Sequence, residues 1–306
     1  MKISATFSLT IAVQALGFIW ALESILGKII IERGHNLYLF PITLNVATLI
    51  FALALNVKSR SRASNPALSL SDIAWLMALG VTLIFIPYLL IYSALRYIPP
   101  LELALYSSLT PGFSVIIGSL ILRSPPSTTT LAGIALGCLG LIILIYFSNI
   151  KTPTTDIGSW HVFMLGVPLS FAASTYVFRK ISTLNINYTQ VLWSSNALSL
   201  TLFLVLMTLD DEFSFQPVSA TDVLAFGIGT GCNIAAIILT MKLAKAASPV
   251  HLSTSNYALV TFSLLLSGLV LNITPTIPAL SALVFVMLGS YLTGADNDRV
   301  RHYKWK

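Results

Sequence analysis

Long apolar runs separated by short polar breaks fill the whole chain. Ten of them reach about 20 residues, the length that crosses about 30 Å of hydrocarbon: 6–31, 37–57, 73–95, 99–122, 128–147, 159–180, 187–208, 222–244, 248–271 and 275–293. The runs are continuous and do not alternate with a period of two, so they predict spanning α-helices and exclude barrel strands. The longest breaks, 58–71 and 209–221, are too short to fold as domains outside the membrane. The fold class read from this pattern is an all-α polytopic membrane protein with ten transmembrane helices.

The second half repeats the first at an offset of 149 positions. Ala94-Leu95-Arg96-Tyr97-Ile98-Pro99-Pro100-Leu101-Glu102 aligns with Leu243-Ala244-Lys245-Ala246-Ala247-Ser248-Pro249-Val250-His251. The same offset pairs Gly17 with Gly166, Gly80 with Gly229, Phe113 with Phe262, Ser114 with Ser263, Pro126 with Pro275 and Gly140 with Gly289. Five spans per half is an odd number, so the two repeats are expected to lie upside down relative to each other, the build of an alternating-access carrier. The polar stretch 148–158 is expected to join a repeat at 1–150 to one at 151–306, the second ending in a short cytoplasmic tail.

Composition agrees with the pattern. The 306 residues are 56% hydrophobic and 9% charged, with mean hydropathy +0.86, against roughly 25% charged in soluble chains. With the N-terminus in the cytoplasm, thirteen Lys and Arg fall in inside segments and three outside (Arg33, Arg96 and Lys151). Such a bias sets orientation, so both termini are expected in the cytoplasm, at a bacterial inner membrane. The net charge of +6 then reflects topology and not nucleic-acid binding. No Gly-x4-Gly-Lys-Ser/Thr loop occurs, which excludes ATP-driven transport within this chain. Cys138 and Cys232 fall inside spans as small buried hydrophobes. No cofactor or metal is expected, and span one reads as retained and not as a signal peptide.

Glu23 is the sharpest chemical signal. It lies about eight residues, or roughly 12 Å, from the outer end of span one, where an ionised carboxylate costs several kcal/mol unless it is paired, protonated or facing the protein interior. It is read as a coupling residue that exchanges a proton, with a packed hydrogen-bond partner as the structural alternative. Lys28 is expected to snorkel outward and meet Glu32 at i+4. Glu102, just after Pro99-Pro100, is an ordinary acidic helix start that Arg96 could pair with; the functional alternative is a charged outer gate, with His251 in the mirrored inner position. A softer set of polar and aromatic residues would line a central cavity: Trp20, Tyr88, Tyr92, Tyr106, Ser107, Thr110, Asn196, Asn233, Ser255 and Asn256. Residue by residue, interhelical hydrogen bonding is the competing reading. The matched clusters on spans four and nine place the expected cavity at the repeat interface. Pro87, Pro111 and Pro168 fall within spans and can kink them. The triplet Gly227-x-Gly229-x-Gly231 reads as helix packing, since no strand precedes it.

These residues carry a resemblance. Ala94-Leu95-Arg96-Tyr97-Ile98-Pro99, followed by Glu102-Leu103-Ala104 and Leu109-Thr110-Pro111, resembles the span-three-to-four signature of the drug/metabolite transporter superfamily, EamA-like family. Gly17-x2-Trp20-Ala21 and Gly133-x3-Gly137-x2-Gly140 look like the same family. The resemblance implies two inverted five-span repeats and transport of small organic solutes, often export of amino acids or other metabolites. This chain has Asn45 where an Arg is often found in span two, and it lacks the central Lys and Arg cluster that a phosphorylated solute would need. The expected function is a secondary carrier of small neutral or zwitterionic metabolites, with the bilayer and the solute as its partners. A channel or a non-transporting membrane partner is the alternative. An intramembrane enzyme is disfavoured, because no paired aspartates on facing spans, His-Glu-x2-His site or Gly-x-Ser-x-Gly elbow occurs.

Overall fold

The computed structural model describes residues 2–59, 68–122, 127–151, 162–210, 216–246 and 249–295, which are helical with no strand among them. The helices are α1 (Lys2–Glu32), α2 (Leu39–Ser59), α3 (Leu70–Leu79), α4 (Ile86–Ala94), α5 (Pro100–Ser107), α6 (Thr110–Leu122), α7 (Thr128–Lys151), α8 (Gly166–Ile181), α9 (Tyr188–Thr208), α10 (Ala220–Ala246), α11 (Pro249–Ser253), α12 (Ser255–Val270) and α13 (Ile277–Ala295). Among the described residues six stretches are long and apolar enough to cross a membrane: Ile11–Glu32, Leu39–Asn56, Leu70–Ala94, Pro100–Ile121, Tyr188–Thr208 and Ala220–Ala246. Thr128–Ile143, Ser255–Val270 and Ile277–Gly289 are shorter apolar helices. The start of the sixth expected run lies outside the described residues. Large apolar side chains such as Leu120, Leu224 and Leu269 face outward, which suits contact with lipid tails.

Three of the expected spans are broken. Between α3 and α4 the segment Gly80–Phe85 is a π-helical turn, and the Ile86 amide reaches back to the Val81 carbonyl. Pro87 follows at once and cannot donate to the ladder, so the wide turn absorbs its ring. Ser108 and Leu109 form a turn between α5 and α6, and Pro111 then sits in the first turn of α6, where its missing N–H leaves no bond unmade. Thr254 separates α11 from α12. Pro168 is the third residue of α8, so it marks a helix start and not the mid-span kink expected from the sequence.

The halves interlock. α1 packs on α10 and α12, α8 packs on α3, α4, α5 and α6, α2 packs on α9, and α7 packs on α13. Four of the paired glycines sit at close crossings. A Cβ on Gly80 would lie 2.7 Å from the Ser195 carbonyl, and one on Gly229 would lie 2.7 Å from the Phe40 ring. A Cβ on Gly140 would lie 2.9 Å from the Ala282 carbonyl, and one on Gly289 would lie 2.8 Å from the Gly137 amide. Hydrogen alone lets these backbones meet. Of the Gly227–Gly231 triplet only Gly229 makes such a contact; the other two face open space.

Candidate functional site: a membrane-buried cavity and a charged cluster at one end

Regular helical spacing builds a cavity from both halves. Trp20, Glu23 and Ser24 come from α1, Tyr88, Ile91 and Tyr92 from α4, Leu103, Ala104 and Ser107 from α5, and Asn233, Ala236, Ile237 and Thr240 from α10. Each set recurs at three- and four-residue intervals, so each helix turns one stripe inward. Leu83 and Ile84 of the π turn, Phe171 of α8 and Leu259 of α12 complete the walls. Trp20 stacks on Phe171 with centroids 5.7 Å apart and planes 11° from parallel, and the Tyr88 and Tyr92 rings meet edge-on at 5.4 Å.

Glu23 is 3% exposed. Its Oε1 accepts from the Tyr92 hydroxyl at a long 3.5 Å, and Oε2 has no partner in the protein. The Tyr88 hydroxyl also donates to the Asn233 carbonyl oxygen at 3.4 Å. Asn233 in turn donates through Nδ2 to Thr48 Oγ1 at 2.9 Å and to Asn196 Oδ1 at 3.1 Å. The network therefore runs from α1 through α4 and α10 to α2 and α9, a length of buried polar bonds that holds the cavity wall in one arrangement.

The structure brings together only some of the residues singled out from the sequence. Trp20, Glu23, Tyr88, Tyr92, Ser107 and Asn233 line the cavity. Asn196 stands one bond behind it, supporting Asn233 and donating to the Leu192 carbonyl. Tyr106 is fully buried in the core away from the cavity. Thr110 donates to the Ser107 carbonyl, Ser255 to the Leu252 carbonyl at 2.8 Å and Asn256 to the Ser253 carbonyl at 3.0 Å. Spans four and nine thus supply less of this cavity's wall than expected, although Asn256 Oδ1 is buried without a partner. Their polar side chains satisfy carbonyls freed where α5–α6 and α11–α12 break, and only Ser107, Leu103, Ala104 and Leu259 reach the space. Asn45 donates to the Pro41 carbonyl within its own helix. Phe171, Ser24 and Thr240 were missed, because nothing in an apolar run distinguishes them from lipid-facing neighbours.

The charged candidates lie elsewhere. Lys28 meets Glu32 at 3.3 Å as expected, and it also donates to the Leu95 carbonyl at 2.6 Å, capping the end of α4. Arg96 borders a polar recess with His35, Asn36, Tyr38 and Asp210 and makes no ion pair with Glu102; Glu102 stays in the first turn of α5, so the pairing expected across that connection is absent. His251 falls on α11, and its side chain lies outside the described ones.

The strongest ionic cluster was not foreseen. Asp222, 2% exposed, receives Arg33 at 2.5 Å and His35 Nε2 at 3.3 Å. It also accepts the Ser219 amide at 2.8 Å and hydroxyl at 2.6 Å. Asn36 reaches Asp210 at 3.1 Å beside it. The cluster joins the end of α1 to the start of α10. Its sequence signal was legible: Ser219-x-x-Asp222 before an apolar run is a capping box. Ser69-x-x-Asp72 builds the same box at the start of α3, where it is exposed.

Long apolar helices packed around a buried polar cavity mark a helical membrane protein, and broken helices beside such a cavity are a feature carriers share. Residues 9–146 match the EamA-like transporter family, which supports a place in the drug/metabolite transporter superfamily. A crystal structure of another protein aligns with 97% of this chain and 99% of its own length at TM-score 0.66 and 16% identity, a likeness of fold alone. No curated protein matches the chain in sequence.

Proposed function

We propose that the whole chain is a secondary carrier of the drug/metabolite transporter type that moves a small organic solute by alternating access between two inverted repeats. The observation that carries this reading is the cavity, which draws α1, α4 and α5 from one half and α8, α10 and α12 from the other around a buried, incompletely bonded carboxylate. Packing supports the repeat. Exchanging each helix for its counterpart turns the contacts of α1 with α10 and α12 into those of α8 with α3–α4 and α5–α6. The same exchange leaves the α2–α9 and α7–α13 pairs unchanged. Broken helices at the fourth and ninth spans fit the discontinuous elements that carriers place at their sites. Glu23 is the proposed coupling group; Tyr88 and Tyr92 of α4 and Cys232 of α10 face it, and no basic side chain lines its cavity. Export is the proposed direction, with both termini cytoplasmic in a bacterial inner membrane.

Counterflow tests the carrier. Purified protein in proteoliposomes preloaded with an aromatic amine or amino acid should take up the labelled compound faster than empty vesicles do. Linear, non-saturating flux without trans-stimulation for every solute tried would replace the carrier with a channel.

A further inference from the structure

The hydrogen-bonding polarity of the cavity is one-sided. Among its lining residues Glu23 is the one carboxylate, and no Lys, Arg or His is present. Lys28, the nearest cation along α1, is committed to the Leu95 carbonyl at 2.6 Å and to Glu32 at 3.3 Å. Arg33 is held at the helix end by Asp222. Asn233 sharpens the bias. Both hydrogens of its Nδ2 are spent behind the wall, on Thr48 and Asn196, which leaves its carbonyl oxygen toward Tyr88 and the cavity. The hydroxyls there can donate or accept and the Trp20 N–H only donates, so the groups that only accept are Glu23 Oε2, which has no partner, and Asn233 Oδ1, which takes the Tyr88 hydroxyl at 3.4 Å.

We propose that this cavity selects a monovalent organic cation with a compact aromatic or apolar body, an amine in preference to a carboxylate or a zwitterion, and that Glu23 is its counter-ion. The proposal rests on the carrier reading and narrows the neutral or zwitterionic solute expected from the sequence. An ammonium group brings the donor that Oε2 lacks and a second one for Asn233 Oδ1 beside its long Tyr88 bond, and in a low-dielectric interior the charge pair is strong. Four aromatic side chains, Trp20, Tyr88, Tyr92 and Phe171, wall the same space and favour a cation over their faces. A solute carboxylate would meet the Glu23 charge and find no base, which costs more than any hydroxyl there returns.

Binding to the purified protein at neutral pH, by calorimetry, tests this with three probes of one shape: phenylethylammonium, phenylethanol and phenylacetate. The ammonium should bind at least about tenfold more tightly than the alcohol, and the acetate more weakly than both. Glu23→Gln should erase the ammonium's advantage while leaving the alcohol's affinity within about twofold. Glu23→Asp, which keeps the charge, should retain the preference. Equal or tighter binding of the alcohol or the acetate by the wild type overturns the proposal, as does a preference that survives Glu23→Gln or an absence of binding by all three. Charge-selective binding without counterflow would sink the carrier reading and leave the cation site standing. Counterflow of a neutral or anionic solute without cation preference would do the reverse.

Discussion

Replacing Asp222 by Ala is expected to cost far more stability than replacing Asp72, although both close the same Ser-x-x-Asp box. The carboxylate of Asp222 ties the Ser219 cap, a loss worth about 1 kcal/mol. Its bond to Arg33 spans 2.5 Å, but the Arg33 side chain is 40% exposed, so solvent takes over that cation and its share stays at or below about 1 kcal/mol. His35 is different. It is 4% exposed, its Nδ1 has no partner, and Asp222 at 3.3 Å is the bond its Nε2 makes. Leaving both nitrogens unbonded in the interior costs about 1–3 kcal/mol. Together these give about 3 kcal/mol, or a melting temperature lower by roughly 5–10 °C. The assay is thermal unfolding in mild detergent, followed by the size-exclusion peak of the intact protein. Asp72→Ala serves as the internal reference: its carboxylate accepts from Ser69 on an exposed helix start, and its melting temperature should fall by no more than the box's own share, roughly 2–4 °C. A melting point for Asp222→Ala within about 1 °C of wild type, or an equal fall for Asp72→Ala, would refute the argument that burial and cross-half partners make the difference.

Three further outcomes are expected. Glu23→Gln, which fixes the carboxyl in a protonated-like form, should abolish pH-gradient-driven accumulation in proteoliposomes while sparing exchange of an uncharged solute; a full response to an imposed gradient would make Glu23 a packing residue. Cysteines introduced at Glu212 and Lys304, both outside the described residues, should label oppositely from outside intact cells, with strong labelling at Glu212 only; the reverse pattern would overturn the orientation. Gly289→Leu should cost about 1–3 kcal/mol or more and broaden the size-exclusion peak, because a Cβ there lies 2.8 Å from the Gly137 amide on α7. Gly268→Leu, facing open space on α12, should leave the peak unchanged, and equal damage at both sites would remove the close crossing as the cause.

The sequence by itself determined the long apolar helices and two of their three breaks. Crossing a bilayer demands long apolar runs whose backbone bonds close within the segment, and that requirement is written locally, residue after residue. Prolines at 87 and 111 marked two of the three broken spans. Gly80 with Gly229 and Gly140 with Gly289, picked out by the repeat alone, proved to be the close crossings. The buried carboxylate was also legible, since an acid within an apolar run has few places to go.

Tertiary structure decided which faces meet. These helices are apolar nearly all round, so periodicity does not separate the side facing protein from the side facing lipid, as it does in a soluble bundle. Tyr92 and Tyr106 look alike in sequence, yet Tyr92 lines the cavity and Tyr106 fills the core. Ser255 and Asn256 looked like solute ligands, but the break at Thr254 claims them for backbone carbonyls. Asp222 looked like a helix cap and became a buried partner of Arg33 and His35 because the chain returns α10 to the end of α1. The amide of Asn233 owes its orientation to Thr48 and Asn196, residues on two other helices. Hydropathy is a property of each segment, whereas a polar group's partner depends on where distant segments cross, and only the packed molecule fixes that.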